Sequence, residues 1–498
     1  MNNRSSTGAQ AGRRNASVPG QVNPVVYILS LLVLGLGATM VIPLLVEWAS
    51  PDAHPTMFAV PMLTAIGTGI VLFAATRSDA DLELDNRQAF IVTAGSWTVL
   101  PVFAAIPFVF AGLSWTDAIF EAASGLTTTG STVVQGLDAW PASLLLWRSF
   151  LQWIGGVGII VTAVALLPFM RVGGMQLFKA ESSDHSEKFE ARAHVFVVRI
   201  LVIYLCMTAG CAALYATFGM SGFDAINHAM TTLSTGGFST HDASFAFFEP
   251  RALHAIAIVF MIAGAIPFVA YMKFLDGQRT IFLRDPQVRS LLALLAGVSL
   301  VLGLWHATQS EDGLGQSIIY AAFNVVSVVT TTGFASTDYT AWGSATIATF
   351  FALTFLGGCT GSTSGGVKTY RILVLFQVVR RHLMLTVMPS RVVARTFDGR
   401  RLEEDAWIGV LVMVVVFLAT FLLFAIGLAM TGLDFMTALS GSATAITNVG
   451  PGLGDIIGPA GNFSTLPDTA KWLLSAEMVL GRLEVLTFLV VCLPSFWD

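Results

Sequence analysis

Apolar residues are concentrated in long runs that are separated by short polar segments. A helix that crosses a hydrocarbon core of about 30 Å needs about 20 predominantly apolar residues. The pattern predicts ten membrane spans, at about 24–48, 57–76, 89–113, 143–170, 193–218, 251–275, 288–307, 342–380, 406–431 and 469–496. Residues 1–23 are polar and show no small-residue cleavage signature, so we expect a disordered cytoplasmic tail and an uncleaved first span.

A short polar pattern occurs four times between these runs, at intervals of roughly one hundred residues. Its copies read GLTTTGSTV, TLSTGGFST, VTTTGFAST and AITNVGPGL, around Gly130, Gly237, Gly333 and Gly450. When the glycines are aligned, serine or threonine stands three and six residues before each, and alanine stands twelve residues before each. Agreement at several offsets indicates an internal fourfold repeat.

Each repeat is predicted to consist of a span, a short helix of about 12 residues, the glycine loop and a second span. A helix this short cannot cross the membrane, so we expect it to enter from outside and turn back. Non-helical backbone at membrane depth is tolerated only where it is buried in protein or lines a water-filled cavity. Four such loops around one axis would surround a pore.

Composition and charge support a membrane location and give an orientation. The 498 residues are 55% apolar and only 11% charged, with a mean hydropathy of +0.74. Of the 26 basic residues, 21 fall in the tail or in the alternate loops 77–87, 171–192, 273–289 and 368–401, which predicts cytoplasmic N and C termini. The exceptions are Arg148, Arg199, Arg251, Lys471 and Arg482. The net charge of −5 indicates no nucleic-acid partner.

The loop residues suit the passage of a monovalent cation. Glycine can adopt left-handed conformations that align successive carbonyl oxygens, and rings of carbonyls can replace an ion's hydration shell. The C-terminal dipole end of each short helix would also favour cations. The alternative is that these glycines are only close-packing or turn residues, as is common in membrane helices.

The pattern resembles the Trk/Ktr/HKT superfamily of potassium transporters, and most of all its TrkH branch, over nearly the whole chain. The resemblance implies an all-α polytopic membrane protein with four span, re-entrant helix-loop and span repeats in a pseudo-fourfold array, preceded by two extra N-terminal spans. The corresponding divisions are a tail at 1–23, the extra spans at 24–88, and pore repeats at 89–191, 192–287, 288–403 and 404–498.

The resemblance also implies a potassium-channel-like filter, with K⁺ as the transported ion and no organic cofactor. Carried over by position, its residues would be Thr128, Thr129, Gly130, Thr235, Gly236, Gly237, Thr331, Thr332, Gly333, Asn448, Val449 and Gly450. Sodium-preferring relatives can carry serine in place of the first filter glycine, so Gly130 favours potassium. The fourth loop departs most from the pattern, because it has Asn448, Val449 and Pro451.

Two features are predicted to lie below the filter. The last span of repeat 3 reads FLGGCTGSTSGGVK from Phe355 to Lys368, and its glycines and hydroxylated residues predict a break in mid-membrane. The resemblance implies an intramembrane gating loop here, with Gly357, Gly358, Gly361, Gly365, Gly366 and Lys368; a static kink is the alternative. Arg482 lies inside the last span, where a lipid-facing arginine is unfavourable. We expect it to form an electrostatic barrier under the filter, or alternatively to pair with Glu477 or Glu484.

Other polar residues are predicted to orient the short helices. Glu121, His228 and Asn324 share the position nine residues before the loop glycine, where hydrogen bonding is expected, and Gly441 breaks the series. Asp117 and Asp224, thirteen before the glycine, are predicted to mark helix starts.

The leading functional hypothesis is potassium uptake across the bacterial inner membrane through a selective, gated pore. The alternative is a secondary transporter, a symport coupling potassium to protons or sodium, for which the chain offers few titratable groups. An enzyme is disfavoured, because motifs such as HExxH and GxSxG are absent from the sequence. The resemblance implies a homodimer and a cytosolic nucleotide-binding TrkA-type partner. The basic segment from Lys368 to Arg401 could contact that partner or anionic lipid.

Overall fold

The structure is a computed structural model that describes residues 24–77, 84–165, 188–391, 396–397, 400–401 and 404–497. The predicted tail at 1–23 and most of the basic loop at 171–192 lie outside these residues. The described chain is almost entirely helical, in agreement with the predicted all-α class. The exception is a hairpin of two short strands, β1 (Thr396–Phe397) and β2 (Arg400–Arg401).

The two N-terminal spans precede the repeats. The first is formed by α1 (Pro24–Thr39) and α2 (Val41–Trp48), and the second by α3 (Thr56–Thr76). Two glycines allow α1 and α3 to pack closely: a Cβ on Gly37 would lie 2.9 Å from Ile66, and one on Gly69 would lie 2.6 Å from Leu34. Small residues at such crossings are the usual means by which membrane helices associate.

The remaining helices follow the repeat order. Repeat 1 contains α4 (Asn86–Phe110), α5 (Trp115–Leu126) and α6 (Ala142–Ala165). Repeat 2 contains α7 (Lys188–Thr217), α8 (Gly222–Leu233), α9 (Arg251–Ala265), α10 (Phe268–Leu275) and α11 (Ile281–Arg284). Repeat 3 contains α12 (Pro286–Gln309), α13 (Leu314–Val329), α14 (Ser344–Thr354) and α15 (Thr369–Val387). Repeat 4 contains α16 (Glu404–Met430), α17 (Phe435–Thr447), α18 (Asp468–Arg482), α19 (Leu486–Cys492) and α20 (Pro494–Trp497).

Short pore helices α5, α8, α13 and α17 stand directly before the four glycine loops and have 12, 12, 16 and 13 residues. Ser114 caps α5 by accepting a hydrogen bond from the Asp117 N–H, and Ser221 caps α8 in the same way with Asp224. The prediction that these aspartates mark helix starts is therefore confirmed. Asp434 caps α17.

Contacts between repeats arrange the pore helices in a ring. Each pore helix packs against the second span of the preceding repeat: α6 contacts α8, α9 contacts α13, and α14 contacts α17. The ring is closed by α18, the second span of repeat 4, which contacts α5 of repeat 1. The repeats therefore follow one another around the ring in chain order.

Within the described residues, seven of the ten predicted spans are long and apolar enough to cross a membrane without a sharp bend, and the other three are interrupted. The interruption between α14 and α15 was predicted from its glycines. Two others were not: α9 and α10 are bent by 93°, and α18 ends at Arg482 before α19 begins at Leu486. Pro267 explains the first, since it lacks an N–H and disfavours helix at the residue before it. At the second, Glu484 and Val485 have φ values of +59° and +50°. Residues other than glycine rarely adopt positive φ.

Candidate functional site

The four loop glycines meet in a closed ring. A Cβ added to each would overlap the carbonyl oxygen of the residue before the corresponding glycine in an adjacent repeat. The distances are 2.2 Å from Gly130 to Gly236 O, 1.9 Å from Gly237 to Thr332 O, 1.9 Å from Gly333 to Val449 O, and 2.7 Å from Gly450 to Thr129 O. Each position requires glycine because a neighbouring backbone occupies the space that a side chain would need.

Backbone conformation repeats around this ring. The loop glycines have φ values of +87°, +77°, +82° and +110° in chain order. Two residues earlier, Thr128, Thr235, Thr331 and Asn448 have φ values between +51° and +58°. Asparagine enters this left-handed region more readily than most residues, which explains why the divergent fourth loop keeps the same geometry. The Asn448 Nδ2 also donates to Thr129 Oγ1 at 2.9 Å and to Met478 O at 2.9 Å.

Side chains of the pore helices bond the outer part of each loop. Glu121 accepts from Val133 N at 3.0 Å, His228 Nε2 lies 3.0 Å from Ser239 Oγ, and Asn324 Oδ1 accepts from Ser336 N at 3.1 Å. In repeat 4, where Gly441 has no side chain, Ser440 Oγ accepts from Leu453 N at 3.0 Å. The prediction that Glu121, His228 and Asn324 hydrogen-bond at the short helices is confirmed, and each bond joins a helix to its own loop.

On one side of the ring there is a cavity of about 540 Å³ whose lining includes all four loop glycines. On the other side of the ring lies the non-helical segment between α14 and α15. Its Thr363 Oγ1 donates to Leu233 O at 3.1 Å, and its Gly365 N donates to Thr331 Oγ1 at 2.7 Å. A Cβ on Gly365 would lie 2.3 Å from Thr447 O. The segment therefore contacts the C-terminal ends of pore helices α8 and α17 and the loop directly after α13.

This segment is also bonded to the break in repeat 2. Cys359 N donates to Ala265 O at 2.8 Å, Thr363 N donates to Gly264 O at 3.2 Å, and Phe268 N donates to Gly361 O at 3.0 Å. Broken membrane helices need partners for the backbone groups that they free. Two broken helices satisfy each other here.

Arg482 lies under the ring and is only 3% exposed. Its Nη1 donates to Thr363 O at 2.9 Å and its Nη2 to Gly155 O at 3.3 Å, so it joins the repeat 3 segment to repeat 1. The predicted alternative partners are engaged elsewhere: Glu477 accepts from Ser442 at 2.6 Å, and Glu484 pairs with Arg371. Lys368 is buried and donates from Nζ to Ser364 O.

Arg148 and Gln152 on α6 are not among the residues that the sequence predicts for this site. Arg148 appeared only as an exception to the charge rule, yet it is 1% exposed and lies 2.7 Å from Glu121 behind the first loop. Gln152 donates to Gly236 O at 2.6 Å. The signal was available for Arg148, since a basic residue inside an apolar run must find a partner; no comparable signal marks Gln152.

Four repeats of membrane helices around a closed ring of glycine loops define a polytopic membrane protein with a central pore-like site. Residues 54–497 match the TrkH family, described as cation transport proteins. The chain is 46% identical to the Trk system potassium uptake protein TrkI of Halomonas elongata, over 95% of this chain and 96% of that protein. It is 36% identical to TrkH of Escherichia coli K12, over 95% of this chain and 99% of that protein.

A solved structure of a related transporter also matches this chain. The crystal structure of the potassium transporter TrkH from Vibrio parahaemolyticus matches with a TM-score of 0.87 and 33% identity, over 96% of this chain and 99% of that one. The chain belongs to the TrkH family of cation transport proteins. The predicted resemblance is confirmed.

Proposed function

We propose that this chain takes up potassium across the bacterial cytoplasmic membrane through the ring of four glycine loops. The observation that carries the proposal is the closed ring itself, in which each loop glycine contacts a backbone carbonyl of an adjacent repeat. The printed names of the relatives, which are potassium uptake proteins, support potassium as the ion. Transport of this kind belongs to no enzyme class.

The twelve residues Thr128–Gly130, Thr235–Gly237, Thr331–Gly333 and Asn448–Gly450 are proposed to form the filter, with K⁺ bound by their backbone carbonyls. Positive φ at the first and third residue of each triplet supports this, since alternating backbone handedness directs successive carbonyls to one side. Carbonyls in this arrangement can replace the hydration shell of a monovalent cation. The C-terminal ends of the four pore helices add negative potential at the same place.

The segment at 355–368 and Arg482 are proposed to close the pathway below the filter. The segment contacts two pore helices and the loop after a third, and Arg482 connects it to repeat 1. A buried guanidinium on the path of a cation raises the electrostatic energy of that cation. Displacement of both would open the pore.

The divisions at 24–88, 89–191, 192–287, 288–403 and 404–498 remain our proposal for the modular organisation of the chain. We also propose cytoplasmic termini, a homodimer and a nucleotide-binding TrkA-type partner that acts on the gate. The distribution of basic residues supports the orientation. The basic segment that follows the gate, 368–401, would lie on the cytoplasmic side, where such a partner could reach it.

Rubidium-tracer flux through purified protein in liposomes tests the proposal. A potassium gradient is applied without sodium or pH gradients, and wild type is compared with Gly333→Ser and Arg482→Ala. We expect passive flux that favours potassium, loses selectivity in Gly333→Ser and rises several-fold in Arg482→Ala. Flux that requires a sodium or proton gradient would favour coupled transport instead. The absence of flux under every gradient would contradict conduction by this chain alone and require the partner to be added.

A further inference from the structure

One face of α6, the second span of repeat 1, contacts two of the glycine loops. Arg148 and Gln152 are four residues apart on this helix and therefore lie on the same side. Their exposed fractions are 1% and 0%. Both side chains bond loop 2, and Arg148 also bonds groups of repeat 1.

Arg148 joins three elements through a single guanidinium. Its Nε lies 2.7 Å from Glu121 Oε1 on the first pore helix, and its Nη2 donates to Thr132 Oγ1 of loop 1 at 3.2 Å. Its Nη1 crosses to loop 2 and donates to Ser239 O at 2.9 Å. The guanidinium also lies over the Phe238 ring, 4.1 Å from its centroid. A guanidinium holds five donors in a rigid planar geometry, whereas a lysine ammonium has only three donors on a flexible stem.

Gln152 binds loop 2 at the ring itself. Its Nε2 donates to Gly236 O at 2.6 Å, and its Oε1 accepts from Phe238 N at 3.0 Å. Gly236 O is the same atom that contacts Gly130 of loop 1. The amide therefore holds a carbonyl at which the first two loops meet.

Gln152 also explains why repeat 2 differs in sequence. At the position before the loop glycine the other repeats have Thr129, Thr332 and Val449, whereas repeat 2 has Gly236. A Cβ on Gly236 would lie 2.4 Å from Gln152 Cδ. The glutamine side chain fills the space that a threonine would need.

We propose that Arg148 and Gln152 are positioning residues that set the distance between loops 1 and 2 and thereby the discrimination between potassium and sodium. This inference rests on the proposed function of the ring as a filter. Without these bonds, Gly236 O is free to rotate and loop 2 to shift, and a ring of variable width accepts the smaller ion. Loss of either side chain lowers the selectivity for potassium over sodium more than it lowers the potassium flux.

The test measures rubidium and sodium tracer flux through proteoliposomes for Gln152→Met and Arg148→Met. Gln152→Met keeps the bulk of the side chain and removes both hydrogen bonds. We expect the potassium-over-sodium ratio to fall by about three- to tenfold, the order that loss of a hydrogen bond produces, while rubidium flux persists. The matched control is Lys471→Met, which breaks an ion pair of 2.6 Å with Asp117 between α18 and α5. That pair includes no residue of the four filter triplets, and the potassium-over-sodium ratio of this variant should equal that of wild type.

Arg148→Met leaves Glu121 buried without its cation, which strongly destabilises the fold independently of any effect on selectivity. The double variant Arg148→Met with Glu121→Gln removes both charges, and it should recover melting temperature without recovering selectivity. Unchanged selectivity in a conducting Gln152→Met protein would overturn the inference and leave the proposed function intact. A wild-type protein that conducts sodium as well as potassium would overturn both.

Discussion

Replacement of Gly333 by alanine perturbs the ring at one of its two tightest contacts. The new Cβ would lie 1.9 Å from Val449 O, whereas a nonbonded carbon–oxygen contact needs about 3.3 Å, so the two loops must separate by about 1.4 Å. In addition, the φ of Gly333 is +82°, and an L-residue in left-handed backbone costs about 1–2 kcal/mol.

Overpacking of a well-packed site adds roughly 1–3 kcal/mol. Together the two effects destabilise the observed ring by about 2–5 kcal/mol. At 1.4 kcal/mol for each factor of ten, we expect the population of this ring geometry to fall about 30-fold or more. The protein should therefore lose potassium selectivity or flux. Rubidium and sodium tracer uptake in proteoliposomes measures selectivity and flux, and thermal denaturation in detergent measures stability.

Gly432→Ala separates the backbone cost of positive φ from the steric overlap with a neighbouring loop. Its φ is +93°, close to that of Gly333, but no atom lies within 4 Å of its Cβ position. This variant carries only the left-handed backbone cost, and its flux and selectivity should remain those of wild type. Equal behaviour of Gly333→Ala and Gly432→Ala would refute the steric argument, because only the former meets a neighbouring carbonyl.

Three further variants test the surroundings of the ring. Gly365→Ala places a Cβ 2.3 Å from Thr447 O, so it should displace the segment at 355–368 and, on the proposed role of that segment, raise partner-free rubidium flux several-fold; flux at the wild-type level would contradict the proposed role. Arg371→Gln removes the ion pair with Glu484, and we expect faster amide hydrogen exchange at 483–485, whereas unchanged exchange would mean that the break is held by other contacts. Ser114→Ala removes the cap of α5 and should lower stability by about 1 kcal/mol in thermal denaturation without changing selectivity; a selectivity change would implicate the cap in ion binding.

Much of the site could be predicted from sequence because it is repeated within the chain. Aligned copies identified the glycines at 130, 237, 333 and 450, which share one positive-φ backbone conformation. Local composition also revealed the break between α14 and α15, since five glycines in ten residues cannot sustain a helix.

Other features depend on tertiary contacts and left weaker signals. Pro267 does mark the bend between α9 and α10, but apolar periodicity over 251–275 obscured it. The residues Leu483–Val485 contain neither proline nor glycine, so nothing local indicates the break before α19. Gln152 lies on an ordinary apolar helix, and only the folded ring reveals that it contacts Gly236.

The contact between Gln152 and Gly236 has a consequence for the divergence of the four internal copies. Once duplicated segments become neighbours in a ring, a substitution in one copy is constrained by whichever copy adjoins it rather than by its own ancestral counterpart. A side chain at position 236 and glutamine at position 152 exclude each other sterically. In related sequences the two positions should therefore covary, with threonine or valine at the first accompanied by a smaller residue at the second.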